Sequence, residues 1–472
     1  MIISSMPDWL NHDIYDVFHM FISNSKLNEE KPFVSFVMQQ DGINLTCRLT
    51  IEFEQELKSF EKFCQIKEYK NELEQKRYIK REVKKFIYEE LSKYYNKSLP
   101  WGCLTGIRPT AIAYEMIENG QDKVFVKEAL MKEYYLREDK ASLVEKIIKN
   151  QNCIIKNENL IDLYINIPFC PSRCSYCSFI SHEYDKVKNI IPNYIDALIK
   201  EINFVKDLIN EKSYIVRSIY IGGGTPSVLE PNELKRILEV LSFDTVEFTV
   251  ECGRPDTITK EKLDILKEYG ATRISINPQS FVDATLKRIG RKHTSNDTIG
   301  AYKMALDYDF SINMDIIAGL TKESFKGFKK TVDTVLELYP DNVTVHTLAL
   351  KKGSNLAEDE KNDENPVTEK MVVYAQNTLM QNGYKPYYLY KLKNQNAGLE
   401  NVGFFREKLC IFNVDSMEET NTIIAVGAGA ITKRVYTFEN RIERQANCKF
   451  ATDYIGRIDE MIQKKKELFD ML

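Results

Sequence analysis

From residue 160 onward the chain alternates short apolar runs with stretches of helical spacing. Leu163–Ile167 predicts a buried strand. Residues 187–211 then carry Val187, Ile190, Ile191, Tyr194, Leu198, Ile202, Val205 and Leu208 at the steps of an amphipathic helix. Ser218–Ile221 predicts a second strand that runs into glycines, and Glu233–Leu241 a second helix. Val246–Val250, Arg273–Ile276, Ile312–Ile317 and Val343–Leu348 give four more short strands with helical patterns between them. The clearest of these is 323–338, with Phe325, Phe328, Val332 and Val335. Six such units build a parallel sheet, so the expected class is α/β, an open or partial TIM-type barrel. Residues at the carboxyl ends of its strands face one common mouth.

The flanks read differently. Residues 1–155 predict an α+β domain: a helix around 7–22, a hairpin of Phe33–Met38 and Asn44–Ile51 turning near Asp41-Gly42, and a long polar helix from about 69 to 95. That helix carries Lys76, Arg77, Lys80, Arg81, Lys84 and Lys85, a stripe read as a solvated face paired with nearby glutamates. The turn-rich segment Trp101-Gly-Cys-Leu-Thr-Gly-Ile-Arg-Pro109 follows. Residues 156–350 form the barrel. Residues 351–472 are expected to be a smaller C-terminal domain, opening with the charged stretch 351–366.

Charge adds only exclusions. Of 472 residues, 65 are Lys or Arg and 69 Asp or Glu, a net charge of −4. That balance gives no electrostatic case for nucleic acid or an anionic membrane. No apolar stretch reaches the ~20 residues that span a bilayer. A cytoplasmic protein is the expectation, and without a signal-peptide-like start a disulfide framework is not expected.

Chemistry enters with the cysteines. Cys170, Cys174 and Cys177 lie within eight residues, in Tyr164-Ile-Asn-Ile-Pro-Phe-Cys-Pro-Ser-Arg-Cys-Ser-Tyr-Cys-Ser-Phe179, just after the first barrel strand. Three thiolates at this spacing can hold three corners of a 4Fe-4S cube, leaving one iron open to a small molecule. Zinc would want four donors, and the nearest further candidate is His182. The other seven cysteines, Cys47, Cys64, Cys103, Cys153, Cys252, Cys410 and Cys448, read as inert and buried. After the second strand come Gly222, Gly223 and Gly224, which allow close approach of backbone to a ligand or serve a tight turn.

The cysteine run, followed by Gly222-Gly-Gly-Thr-Pro226, resembles the radical S-adenosylmethionine superfamily over residues 155–435. Within it the chain is similar to the oxygen-independent coproporphyrinogen III oxidases and their relatives, in particular the HemZ-type branch. The resemblance implies a radical SAM partial barrel, a 4Fe-4S cluster on the three cysteines, and S-adenosylmethionine, one molecule or two. It implies cofactor contacts from Tyr164, Phe179, Gly223, Gly224, Thr225, Glu251, Gln279, Arg291, Asp315 and Gly427. Phe169, Tyr176 and Phe179 would shield the cluster, Gln279 and Arg291 would form a pair twelve residues apart, and Gly427 and Gly429 would border a second ligand position.

The implied activity is decarboxylation of propionates on a tetrapyrrole to vinyl groups, with a low-potential donor such as flavodoxin or ferredoxin. The aromatic and amide-rich run Tyr387–Gly403 suits a tetrapyrrole or an ordinary strand and loop. Two departures stand out: Phe179 occupies a position where oxidases carry another cysteine, and Asn166 one where the family has histidine. Phe179 matches heme chaperones of the same family, and a radical methyltransferase acting on heme is a third alternative. The Gly-Ile-Arg-Pro and Tyr-Leu-Tyr segments favour the HemZ-type branch.

Overall fold

The computed structural model describes residues 2–5, 7–21, 33–53, 56–66, 72–179, 181–348, 366–391, 398–439 and 441–470. These form two compact units, Met1–Glu145 with Lys391–Leu399, and Lys146–Tyr390 with Glu400–Leu472. The charged stretch 351–365 lies outside the described residues.

The first unit holds a four-stranded sheet of β1 (Ile2–Ser5), β2 (Phe33–Asp41), β3 (Asn44–Phe53) and β4 (Glu56–Gln65), in that order. The β2–β3 hairpin pairs Asp41 with Asn44, and Gly42 takes the left-handed conformation the two-residue turn demands, φ +58°. Helices Asp8–Phe21 and Glu72–Tyr94 pack on it, burying Leu10, Ile14, Phe18, Val83 and Ile87 with Val34 and Phe36. The basic stripe is only partly paired as expected. Lys76 meets Glu72 at 2.6 Å, but Lys80 and Lys84 converge on Asp13 of the first helix, at 2.7 and 3.3 Å.

The second unit is built on one eleven-stranded sheet. Its strands are β5 (Leu160–Ile167), β8 (Ile215–Gly223), β9 (Glu247–Val250), β10 (Arg273–Ser275), β11 (Ser311–Ala318), β12 (Asn342–Thr347), β13 (Lys385–Lys391), β14 (Glu400–Phe405), β15 (Thr422–Val426), β16 (Ile431–Tyr436) and β17 (Arg441–Ala446). The two-residue strands β6 (Phe169–Cys170) and β7 (His182–Glu183) pair separately. The order is β13-β14-β12-β11-β10-β9-β8-β5-β15-β16-β17, an open sheet, so the barrel is partial. The six strands β5, β8, β9, β10, β11 and β12 are parallel to one another, as the alternating pattern requires, and β14 adds antiparallel to the outer edge of β12. Their runs are apolar on both faces because helices cover one side and the interior fills the other.

A seventh parallel strand was not expected. β15 adds to the outer edge of β5, pairing Val426 with Ile165, and its turn at Gly427 reaches the same mouth. The covering helix Ile191–Lys212 buries Ile191, Tyr194, Leu198, Ile202, Val205 and Leu208. It also carries Glu201 into the interior, where Lys465 meets it at 2.6 Å with both side chains fully buried. The Glu201 carboxylate accepts further bonds from Gly427 N–H at 2.8 Å, Asn447 at 2.9 Å and Tyr454 at 2.5 Å. Among the described residues no helix is long and apolar enough to cross a membrane.

Removing one partner of a buried ion pair strands the other charge. Lys465→Ala should therefore lower stability by about 3–5 kcal/mol, read as a fall in the denaturant midpoint. An unchanged midpoint would show that the pair is not structural.

Candidate active site

The cysteine loop leaves β5 and turns at once against the exit of β8. The Gly224 N–H donates to the Ile167 carbonyl at 2.8 Å, and the Thr225 N–H to the Phe169 carbonyl at 2.7 Å. The Thr225 hydroxyl then reaches the Cys170 sulfur at 3.5 Å. A side chain on Gly224 would collide with the Phe169 carbonyl. Gly223, at φ +102°, has no room either, because its missing Cβ would strike the Asn166 amide. On the other flank Gly427, at φ +96°, lies under the Asn166 carbonyl. Asn166 thus sits between two glycine turns: its amide nitrogen bonds the Ala428 carbonyl, and its amide oxygen accepts from Tyr164 at 3.1 Å.

Two arginines brace the loop from the far side. Arg291, 8% exposed, donates to the carbonyls of Asn277 at 2.7 Å and Gly253 at 3.1 Å, and to the Tyr176 hydroxyl at 3.2 Å. Among the described residues no carboxylate lies within ion-pair distance of it, and its Nε is buried without a partner. Arg254 bonds Ser172, between the first two cysteines, at 3.0 Å. Phe169 is fully buried, and Phe179 is 67% exposed.

The remaining residues line the mouth beneath. Glu251 follows β9, where Tyr220 donates to it at 2.5 Å; burial pushes its carboxyl up to about 7, against that bond. Gln279 is 7% exposed and held at φ +64°, a conformation costing about 1–3 kcal/mol outside glycine. Its backbone joins β11, N–H to the Asp315 carbonyl at 2.9 Å, and its side-chain oxygen is buried with no donor. Asp315 lies within β11 rather than at its end. Burial pushes its carboxyl up, but the bond from His346, with help from Asn313 and Thr344, outweighs this and holds it below the usual range.

The structure adds residues that sequence reasoning missed. His346 on β12 lies 3.7 Å from Asp315 and 3.3 Å from the Tyr390 hydroxyl. Tyr164, Tyr220 and Phe412 form a cluster of nearly parallel rings, each in contact with the other two, with Tyr220 and Phe412 at 4.5 Å. A histidine in a strand pattern carries no distinguishing signal, and Phe412 comes from a segment with no motif. In the aromatic run, Tyr387 and Leu389 are core and Tyr388 meets Thr344 at 3.3 Å, so an ordinary strand accounts for them. Residues 392–397 of that run lie outside the described residues.

The donor set suits a cube. All three cysteines are free thiols. Among the described residues no group of His, Cys, Asp or Glu side chains could hold a metal ion, as structural zinc would need, whereas a cube takes one thiolate at each separate corner. Burial pushes the Cys177 thiol up to about 11, so its thiolate form calls for a strongly positive partner. The unpaired Gln279 oxygen and the unbalanced Arg291 are what a polar, anion-bearing cosubstrate would satisfy.

Comparison with known proteins agrees. Residues 164–335 match the radical SAM superfamily. The chain is 35% identical over 393 residues to the oxygen-independent coproporphyrinogen-III oxidase-like protein HemZ of Bacillus subtilis, covering 78% of each. It is 33% identical over 195 residues to the heme chaperone HemW of the same organism, covering 40% of this chain and half of that one. Among solved structures, the coproporphyrinogen III oxidase HemN of Escherichia coli shares the fold at a TM-score of 0.51 and 23% identity, over 65% of this chain and 70% of that one. The chain belongs to the radical SAM superfamily, in its HemZ-type branch, a family whose cofactors are a 4Fe-4S cluster and S-adenosylmethionine.

Glu251 has a testable signature. A carboxyl whose folded value is raised from 4.5 to about 7 stays protonated where the unfolded chain has already ionised. Its contribution is unfavourable, and stability falls as pH rises from about 4.5 through 7. At ~1.36 kcal/mol per unit the upper bound is about 3 kcal/mol, less because Glu251 is partly open to water. Without cofactors, Glu251→Gln should flatten the pH dependence of unfolding in that window. An unchanged slope would place the titration elsewhere.

Proposed function

We propose that this radical SAM protein performs oxygen-independent oxidative decarboxylation of coproporphyrinogen III, converting two propionates to vinyl groups to give protoporphyrinogen IX. The observation that carries this reading is the mouth itself: a three-thiol loop set above a buried amide oxygen, two carboxyls and an unbalanced arginine. The choice of substrate draws support from the likeness to an oxidase-like relative over 78% of each chain, against 40% of this chain for the chaperone.

In this reading Cys170, Cys174 and Cys177 hold the cluster. Tyr164, Gly223, Gly224, Thr225, Glu251, Gln279, Arg291, Asp315 and Gly427 hold S-adenosylmethionine, with a second molecule bordering Gly427. When bound, these cofactors supply hydrogen-atom abstraction from the propionate carbon next to the ring. The glycine turns admit the cosubstrate to within contact of the backbone. Arg291 offers its Nε to a carboxylate, a charge-assisted bond of about 1.5–3 kcal/mol. Gln279, locked by its strained backbone, needs no reorganisation to accept a hydrogen bond. Each propionate loses one hydrogen atom, carbon dioxide and one electron, the last to an external acceptor. A flavodoxin or ferredoxin would deliver the reducing electron, in the cytoplasm.

A second reading, stoichiometric heme binding and delivery, rests on Phe179, which the chaperones share. Incubation of the anaerobically reconstituted protein with reductant, S-adenosylmethionine and coproporphyrinogen III separates the two. The expected result is 5′-deoxyadenosine together with a tetrapyrrole lighter by two molecules of carbon dioxide and four hydrogens. An unchanged tetrapyrrole with heme bound one to one would support delivery instead.

A further inference from the structure

Arg254 lies in the turn after the third barrel strand and takes no part in the chemistry above, yet only 3% of its side chain is exposed. One edge of its fork grips Asp256, Nε to Oδ1 at 3.0 Å and Nη2 to Oδ2 at 2.9 Å. Its remaining nitrogen, Nη1, donates to the Ser172 carbonyl at 3.2 Å and to the Ser172 hydroxyl at 3.0 Å. That hydroxyl donates in turn to the Gly290 carbonyl at 3.3 Å. Asp256 in turn lies 3.4 Å from the buried ring of His293. One guanidinium therefore ties the exit of β9 to the residue midway between Cys170 and Cys174.

Neutral donors could hold such a turn. Burying the Arg254 guanidinium costs desolvation, which packing alone does not require, while the Asp256 side chain that pairs with it keeps 24% of its surface exposed. The pair is also compensated, unlike Arg291, so the loop receives a positive charge on one side and a negative one just behind it.

We propose that Arg254 and Asp256 are positioning residues that clamp the cysteine loop in its ligating turn and, through their opposed charges, set the reduction potential of the cluster. The inference rests on the cluster assignment made above. A cluster on three thiolates gains one negative charge on reduction, so each fixed charge nearby shifts that equilibrium by Coulomb interaction.

The test is a redox titration of the full, anaerobically reconstituted chain, followed by electron paramagnetic resonance. Arg254→Gln leaves the Asp256 carboxylate uncompensated and should lower the midpoint. Asp256→Asn leaves the guanidinium uncompensated and should raise it. Each shift should be about tenfold in the reduction equilibrium, ~59 mV for one electron. The double variant should return close to the wild-type midpoint while releasing iron to a chelator several-fold faster. Lys at position 254 keeps the charge without the fork, so Arg254→Lys should hold its potential and lose iron faster. Single variants that shift the same way, or not at all, with full clusters would overturn the proposal. So would a displaced potential in Arg254→Lys, should Arg254→Gln fail to assemble. A wild-type chain that takes up no cluster would sink the cluster assignment itself.

Discussion

The peptide N–H groups of Gly224 and Thr225 reach the carbonyls of Ile167 and Phe169 at 2.8 and 2.7 Å, and the mouth depends on that approach. It is possible only because no side chain stands between the exits of β5 and β8. The contact fixes where the cysteine loop begins and points Thr225 at its first sulfur. On the opposite side, Gly427 repeats the arrangement against the Asn166 carbonyl, and the buried Glu201–Lys465 network holds that turn by its own N–H. Asn166 lies between the two turns, and its neutral amide accepts from Tyr164 of its own strand while donating to the Ala428 carbonyl of the Gly427 turn.

Buried charge near the amino ends of the strands serves support. Arg217, near the start of β8, pairs with Asp415 at 3.3 Å, and Arg273, the first residue of β10, pairs with Glu247, the first of β9, at 3.4 Å. Asp162 of β5, fully buried beside them, accepts from the Ser218 hydroxyl, and burial pushes its carboxyl up. At the carboxyl ends Arg254 is paired with Asp256, whereas Arg291 has no carboxylate, the Gln279 oxygen has no donor, and the Glu251 carboxyl is pushed up by burial. Unsatisfied polar groups at the open end read as function.

Much of this was legible from the residues. Period and length placed all six strands from β5 to β12, and the Asp41-Gly42 turn marked the first hairpin, because each signal is local. The three cysteines and the glycine run announced the mouth for the same reason. The seventh strand was not foreseen, although Thr422–Val426 is an apolar run closed by a glycine. Nothing local says that a strand so late in the chain returns beside the first one. His346 was missed likewise, since it meets Asp315 and the Tyr390 hydroxyl only through the packing of β11, β12 and β13.

The central claim is that three thiols at this mouth hold a cube whose fourth iron is free for the cosubstrate. Electron–nuclear double resonance on the reduced protein with isotopically labelled S-adenosylmethionine tests it most directly. Coupling of the methionyl nitrogen and carboxylate oxygen to a single iron, in protein carrying four irons and four sulfides per chain, is the result predicted. Zinc in the purified protein, or a reduced cluster showing no coupling to the labelled atoms, would contradict it.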